Sequence, residues 1–137
     1  MWVLYALLSA IFAALVSILA KLGLKGINSN LATAIRTFVV LLIAWGIVFV
    51  TGKFKEINTL TSRNWMFLLF SGCATGASWL FYYKALSMGD VSKVAPIDKL
   101  SVVFTIVLAF IFLGETASIK SIIGGILIAA GTLVLVL

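Results

Sequence analysis

Five long apolar runs, separated by short polar segments, constrain the fold of this chain more than any other feature. They cover residues 2–20, 31–50, 65–87, 94–113 and 121–137. Each run is close to the roughly 20 residues that an α-helix needs to cross the hydrocarbon core of a bilayer. An open strand edge in lipid would leave backbone groups without hydrogen-bond partners. We therefore predict an all-α polytopic membrane protein with five transmembrane helices.

Composition leaves no room for a separate soluble domain. Of the 137 residues, 64% are hydrophobic and 10% are charged, whereas soluble domains are about 45–50% apolar. The net charge of +6 comes from basic residues scattered between the runs, so it favours anionic lipid headgroups over nucleic acid as partners. There is no histidine, and Cys73 is the only cysteine, which argues against a metal centre and against a nucleophile with its base. We expect no enzyme activity and no cofactor.

The loops distribute their basic residues evenly between the two faces of the membrane. Because the connections are short, consecutive helices are expected to be antiparallel neighbours. One face then carries Lys53, Lys55, Arg63 and Lys120, and the other carries Lys21, Lys25, Lys84 and Lys93. Orientation follows the Lys/Arg bias of short loops, so this balance permits insertion in both orientations. Adding Arg36 and Lys99 would favour the second face as the cytoplasmic one.

Charged residues also occur inside the apolar runs. Asp98 and Lys99 stand side by side at the head of the fourth run, and Arg36 lies near the start of the second. Arg36 and Asp98 should each lie roughly 7–8 Å inside the same face, at 1.5 Å per residue. With Lys84 they are expected to form one layer, an ion-pair clamp or a charged vestibule for a polar solute.

The layer implies specific partners for its charges. Adjacent helical residues point about 100° apart, so Asp98 is expected to pair with Arg36 or Lys84 rather than with Lys99. The long stem of Lys99 should instead carry its ammonium to the interface. Pro96 is expected at the helix start, where a missing N–H costs little.

Aromatic and hydroxyl side chains accompany these charges along the chain. Trp79, Tyr82 and Tyr83 precede Lys84, where amphipathic rings can line a solute site or belong to a lipid-facing belt. Ser101 follows the aspartate by one helical turn. The candidate substrate-binding residues are Arg36, Trp79, Tyr82, Tyr83, Lys84, Asp98, Lys99 and Ser101, with Asp98 also the candidate for proton coupling.

Small residues recur at helical spacing in the third and fifth runs. Such stripes let helix backbones approach closely, either within one chain or between two copies. The candidate residues for helix packing or dimerisation are Gly72, Gly76, Gly124, Gly125, Ala129 and Gly131.

Four stretches carry a family resemblance: RTFVVLL in the second helix, FYYKALSMGDVSKVAPIDKLSVV across the third and fourth, FLGE after the fourth, and GGILIAAG in the last. Together they resemble the EamA family of the drug/metabolite transporter superfamily, in its short five-helix form. The resemblance implies a single EamA-type transmembrane domain over residues 1–137, which is half of an inverted-repeat transporter. It also implies secondary transport of small metabolites by an antiparallel homodimer, whose two copies insert in opposite orientations.

One departure from related proteins bears on the substrate. The related small multidrug resistance proteins carry an acidic residue in the first helix, where this chain has Ala13, Ala14 and Ser17. A cavity without an acid attracts a cation poorly. We expect an exporter or exchanger of a small polar metabolite, with an amino-acid-like, anionic or zwitterionic solute favoured by the basic excess. The alternatives are a non-transporting membrane subunit of a lipid-linked-group flippase and a cationic multidrug exporter. The expected location is the plasma (inner) membrane of a prokaryote.

Overall fold

The computed structural model describes residues 1–116 and 118–137, and the fold is helical throughout. The helices are α1 (Trp2–Gly23), α2 (Ser29–Val50), a 3₁₀ helix (Lys53–Thr59), α3 (Ser62–Met88), α4 (Val91–Asp98), α5 (Ser101–Leu113) and α6 (Ile119–Val136). Among the described residues, five spans are long and apolar enough to cross a membrane, with α4 and α5 together forming one of them. The all-α membrane fold predicted from the apolar runs is therefore confirmed.

The helices extend beyond the predicted apolar runs because polar caps, rather than hydropathy, set their ends. The Asn28 side chain accepts a hydrogen bond from the Asn30 amide at 2.9 Å, so α2 begins at Ser29. In the same way, Ser118 accepts from the Ser121 amide at 3.1 Å ahead of α6. Asn and Ser stabilise helix starts by satisfying amides that have no partner within the helix.

Residues Leu19–Ser87 form one of two units, containing the end of α1, α2, the 3₁₀ helix and α3. Its best-buried side chains are Leu86, with no exposed surface, and Tyr83, which is 4% exposed. The Lys21 ammonium on α1 donates to the Leu86 carbonyl at 2.6 Å. A cation is favourable there, because the last carbonyls of a helix have no backbone partner and carry partial negative charge.

The 3₁₀ helix folds back onto the end of α2 through three aromatic rings. The Phe54 ring centroid lies 5.2 Å from that of Phe49 and 6.0 Å from that of Trp45. Lys53 donates to the Glu56 carboxylate at 2.6 Å, and this hydrogen bond raises the pKa of the Lys53 ammonium above its ordinary value. The segment contains no long apolar run, so hydropathy alone did not predict a helix there.

Residues Met1–Ile18 and Met88–Leu137 form the other unit, in which α6 packs against α4 and α5. Gly125 is buried at this packing surface, and a Cβ added there would lie 3.7 Å from Ile106 Cδ1. Thr132, one of the few buried polar side chains, is 5% exposed. Small residues on α6 thus allow close helix packing within the chain.

The fourth span, predicted over residues 94–113, is present as Val91–Leu113, and the structure adds a turn inside it. Lys99 and Leu100 form a turn between α4 and α5. Pro96 lies inside α4 rather than at its start, because the helix already begins at Val91. A proline inside a helix removes an amide donor and its ring crowds the preceding turn, so Pro96 perturbs α4 on the side of Val91 and does not by itself account for the turn that follows at Lys99 and Leu100.

The Pro96 carbonyl at this turn accepts two hydrogen bonds, one of them from another helix. The Leu100 amide bonds to Ile97 O at 3.0 Å, one residue short of the α-helical acceptor, which would be Pro96 O. Pro96 O instead accepts from the Lys99 amide at 3.0 Å and from the Thr132 hydroxyl at 3.3 Å. The carbonyl thus keeps a backbone partner at the turn, and Thr132 adds a second bond that ties α4 to α6.

Replacing Thr132 with valine keeps the side-chain shape and removes the donor to the Pro96 carbonyl. We expect a free energy of unfolding lower by about 1 kcal/mol, measured by denaturant unfolding in detergent micelles followed by circular dichroism. Thr132→Ser should retain most of the stability. Thr75→Val is the matched control, since the Thr75 hydroxyl bonds within its own helix to Ser71 O. Equal losses in the two valine variants would contradict the role of Thr132.

Candidate functional site

An arginine stacked on aromatic rings is the first candidate site. The Arg36 guanidinium carbon lies 4.1 Å from the centre of the Trp79 ring and 5.6 Å from that of Tyr83. The two aromatic residues are four positions apart on α3, so they share one helix face. The Tyr82 ring stands edge-on to Tyr83 at 6.4 Å between centroids. We call Arg36, Trp79 and Tyr83 the arginine cluster.

The arginine cluster leaves part of the guanidinium without a hydrogen-bond partner. Arg36 Nη1 is buried, and it has no hydrogen-bond partner among residues 1–116 and 118–137. Guanidinium carries five N–H donors and no acceptor. An aromatic face attracts the positive charge, but it offers no lone pair in the guanidinium plane. A planar anion such as a carboxylate would match these donors in geometry and in charge.

Asp98 and Lys99 form the second charged group, and they pair with each other. Lys99 Nζ lies 3.3 Å from an Asp98 carboxylate oxygen, with side-chain exposures of 57% and 36%. The expectation that these neighbours would be poorly placed to pair is wrong. The backbone at Lys99 stays in the right-handed helical region, with φ −71° and ψ −10°, so the contact comes from the long, flexible lysine stem, which lets the ammonium reach back to the neighbouring carboxylate.

The two remaining candidate residues, Lys84 and Ser101, are both exposed. Lys84 is exposed on α3, and its carbonyl accepts from the Ser87 hydroxyl at 2.7 Å. Ser101 is exposed as the first residue of α5. The candidates up to Lys84 belong to the unit Leu19–Ser87, and those from Asp98 onward belong to the other. The proposed layer of charges draws on both units and stays a prediction.

The glycine stripes differ in how much of the chain covers them. Gly125 packs against α5, as described above. At Gly72, Gly76, Gly124 and Gly131 an added Cβ would meet no described atom within 4 Å outside its own helix backbone. These four positions leave space for a lipid chain or a second copy, and their role in dimerisation stays a prediction.

A groove between α1, α4 and α6 is a further candidate, and the sequence did not reveal it. Its volume is about 700 Å³. From α1 it is lined by Ala6, Ser9, Ala10, Ala13, Ala14 and Ser17. The other helices contribute Ala95, Pro96, Lys99, Leu127, Ile128, Gly131, Thr132 and Leu135. The signal that was missed is the spacing of the α1 residues, which follow one helix face from Ala6 to Ser17. No acidic residue is among these lining residues.

Comparison with known proteins identifies a family. A model of the EamA-like transporter family matches residues 1–137. A Sinorhizobium protein described as an uncharacterized transporter in the cobO 3′ region is 48% identical over 134 residues, which are 98% of this chain and 95% of that protein. No solved structure shows significant similarity to the chain. The family resemblance carried by the four sequence stretches is confirmed.

Removing the Trp79 ring tests the arginine cluster. Trp79→Leu should lower the free energy of unfolding by about 1–2 kcal/mol, because Arg36 loses the nearer of its two ring faces. Phe81→Leu on the same helix is the control, since Phe81 is 77% exposed and should change stability little. In a double-mutant cycle the effects of Trp79→Leu and Arg36→Gln should be less than additive. Fully additive effects would contradict a direct interaction.

Proposed function

The chain belongs to the EamA-like transporter family and is a multi-pass membrane transporter; from this premise we propose that it exports or exchanges a small polar metabolite carrying an anionic group. The observation that carries the proposal is the buried Arg36 Nη1, which has no hydrogen-bond partner in the described chain. A solute carboxylate would supply that partner. Amino-acid-like, anionic or zwitterionic compounds are the solute classes that fit.

Energetic magnitudes favour an anion over further packing as the partner of Arg36. Placing a cation within a transmembrane helix costs about 2.5–3.5 kcal/mol on insertion scales, less near the interface. The ring faces of Trp79 and Tyr83 return about 0.5–2 kcal/mol. A hydrogen bond to a charged group contributes about 1.5–3 kcal/mol, so a bound carboxylate can offset the remainder. The arginine cluster would therefore change from a destabilising to a stabilising element when solute binds.

The other candidate residues complete the proposed substrate path. Tyr82 and Lys84 lie on α3 three and five residues after Trp79, within two helical turns of it. Asp98, Lys99 and Ser101 occupy the break in the fourth span, and ends of discontinuous helices commonly hold substrates or coupling ions in transporters. If transport is coupled to protons, Asp98 is the proposed carrier, since its carboxylate is partly exposed and has one described ion-pair partner, Lys99.

We propose that transport requires an antiparallel homodimer in the plasma membrane of a prokaryote. Five spans match one half of an inverted-repeat transporter, and the basic residues of the loops divide four against four between the two faces. A second copy inserted in the opposite orientation would supply the missing half. Alternating access then follows when the two copies exchange conformations. The Sinorhizobium relative supports a prokaryotic setting.

Uptake by reconstituted protein tests the role of Arg36. In proteoliposomes supplied with labelled amino acids and small carboxylates, Arg36→Gln should reduce uptake at least about tenfold, the loss expected for one charge-assisted hydrogen bond. Charge reversal in Arg36→Glu should abolish it. The matched control is Arg63→Gln, because Arg63 also lies over a ring, Phe67, at 5.7 Å. Normal flux in Arg36→Gln would contradict the proposal, and no flux from the unmodified protein would favour an accessory flippase subunit.

Cysteine accessibility tests the dual orientation. In a Cys73→Ala background, Lys25→Cys and Asn58→Cys place one thiol in the first loop and one in the second. We expect a membrane-impermeant maleimide to label each position partially in intact cells and fully after permeabilisation, because copies of both orientations are present. Labelling of the two positions from opposite single sides would exclude the antiparallel homodimer and require a partner half.

A further inference from the structure

We propose that the groove between α1, α4 and α6 is a second binding site, which takes a single-chain amphiphilic carboxylate. Its apolar chain would lie along α1, and its carboxylate would bind Lys99. All of the lining residues belong to the unit formed by Met1–Ile18 and Met88–Leu137. The arginine cluster belongs to the other unit, so the inference does not depend on the solute proposed for Arg36.

The size and direction of the groove fit one extended chain. Its volume of about 700 Å³ falls within the roughly 300–1,000 Å³ of small-molecule sites. Its α1 lining runs from Ala6 to Ser17, a length of roughly 16 Å at 1.5 Å per residue. The α1 side chains are all alanine or serine, too small to fill the space themselves. A space of this length can therefore take an extended alkyl chain of about twelve carbons.

The chemistry of the lining admits one polar group on the ligand. The Thr132 hydroxyl donates to Pro96 O at 3.3 Å, and the Ser17 hydroxyl donates to Ala13 O at 3.1 Å. These donors are therefore already engaged within the chain. Apart from Ser9, the other lining residues are apolar or are Lys99. A solute with many polar groups would lose its hydration there without replacement, which is unfavourable.

Lys99 determines the sign of that polar group. It is the one ionisable residue among the described residues that line the groove. Its ammonium carries three donors, and the contact with Asp98 at 3.3 Å uses one of them. The remaining donors can bind a carboxylate. Asp98, which balances the charge of Lys99, is not among the lining residues, so the groove itself presents the cation and favours an anionic headgroup over a cationic one. Pro96 and Thr132, which are hydrogen-bonded to each other, line the groove beside Lys99.

Protection of an engineered thiol tests the site in the full chain. In a Cys73→Ala background, Ser9→Cys places a thiol in the groove, and Ile11→Cys is the control, since Ile11 is 59% exposed and lies outside the lining. The protein is reconstituted in phosphatidylcholine vesicles and labelled with a membrane-permeant maleimide. Dodecanoate, dodecanol and dodecyltrimethylammonium are compared as probes of equal chain length.

We expect dodecanoate to slow labelling of Ser9→Cys and to leave Ile11→Cys unchanged. Dodecanol should need an about tenfold higher concentration for the same protection, the factor expected for one charge-assisted hydrogen bond. Lys99→Gln should abolish the preference for dodecanoate, and Lys99→Arg should retain it. Far-UV circular dichroism spectra and elution volumes equal to those of the unmodified protein show that the Lys99 variants are folded. Arg36→Gln should leave protection unchanged, which separates this site from the proposed transport function.

Three results would overturn the inference. Equal protection by dodecyltrimethylammonium would show that the groove recognises only an apolar chain. Retention of the dodecanoate preference in Lys99→Gln would place the carboxylate elsewhere. A thiol at Ser9→Cys that is unreactive before any probe is added, in contrast to Ile11→Cys, would mean that phosphatidylcholine already fills the groove.

Discussion

Every backbone N–H and C=O within a bilayer must find its partner in the protein, and this requirement shapes the whole chain. It requires the five spans to be helical, and it requires a hydrogen-bond partner for each carbonyl left unpaired where a helix ends within the membrane. At the end of α3 the free Leu86 carbonyl is bound by Lys21. In the fourth span, the Pro96 carbonyl accepts from the Lys99 amide and also from the Thr132 hydroxyl. Polar side chains within the membrane are therefore used first to satisfy the backbone, and those without such a role stand out.

Arg36 and Lys99 are the cations within the spans that stand out most clearly, and the chain stabilises them in different ways. Arg36 is held by ring faces, which attract its charge without satisfying its donors. Lys99 pairs with the carboxylate of the neighbouring Asp98. Both side chains are more than one-third exposed, so this ion pair contributes little to stability. Both arrangements leave donors for an anion. The two cations therefore carry the two proposals separately, a polar anionic solute for Arg36 and an amphiphilic carboxylate for Lys99.

Hydropathy and family motifs predicted the five spans and the membrane fold, because a run of apolar residues reports directly on transfer into lipid. They also identified Arg36, Trp79 and Tyr83 individually. They missed the break at Lys99 and Leu100, because hydropathy ignores which carbonyl each amide binds. The pairing of Asp98 with Lys99 was missed because the angle between adjacent helical positions takes no account of the length of the lysine stem. The groove was missed because it depends on which faces of α1, α4 and α6 meet. The 3₁₀ helix at Lys53–Thr59 was missed because it is short and mostly polar. Dual orientation and dimerisation stay predictions.

The discontinuity between α4 and α5 also has a mechanical consequence. The turn at Lys99 and Leu100 is held by i→i−3 hydrogen bonds from the Leu100, Val102 and Val103 amides, whose geometry is poorer than that of α-helical bonds. We therefore expect the fourth span to bend more easily there than elsewhere along its length. A bend at this point would strain the contact between Thr132 and the Pro96 carbonyl, so the Thr132 side chain sets the stiffness of the span as well as its stability.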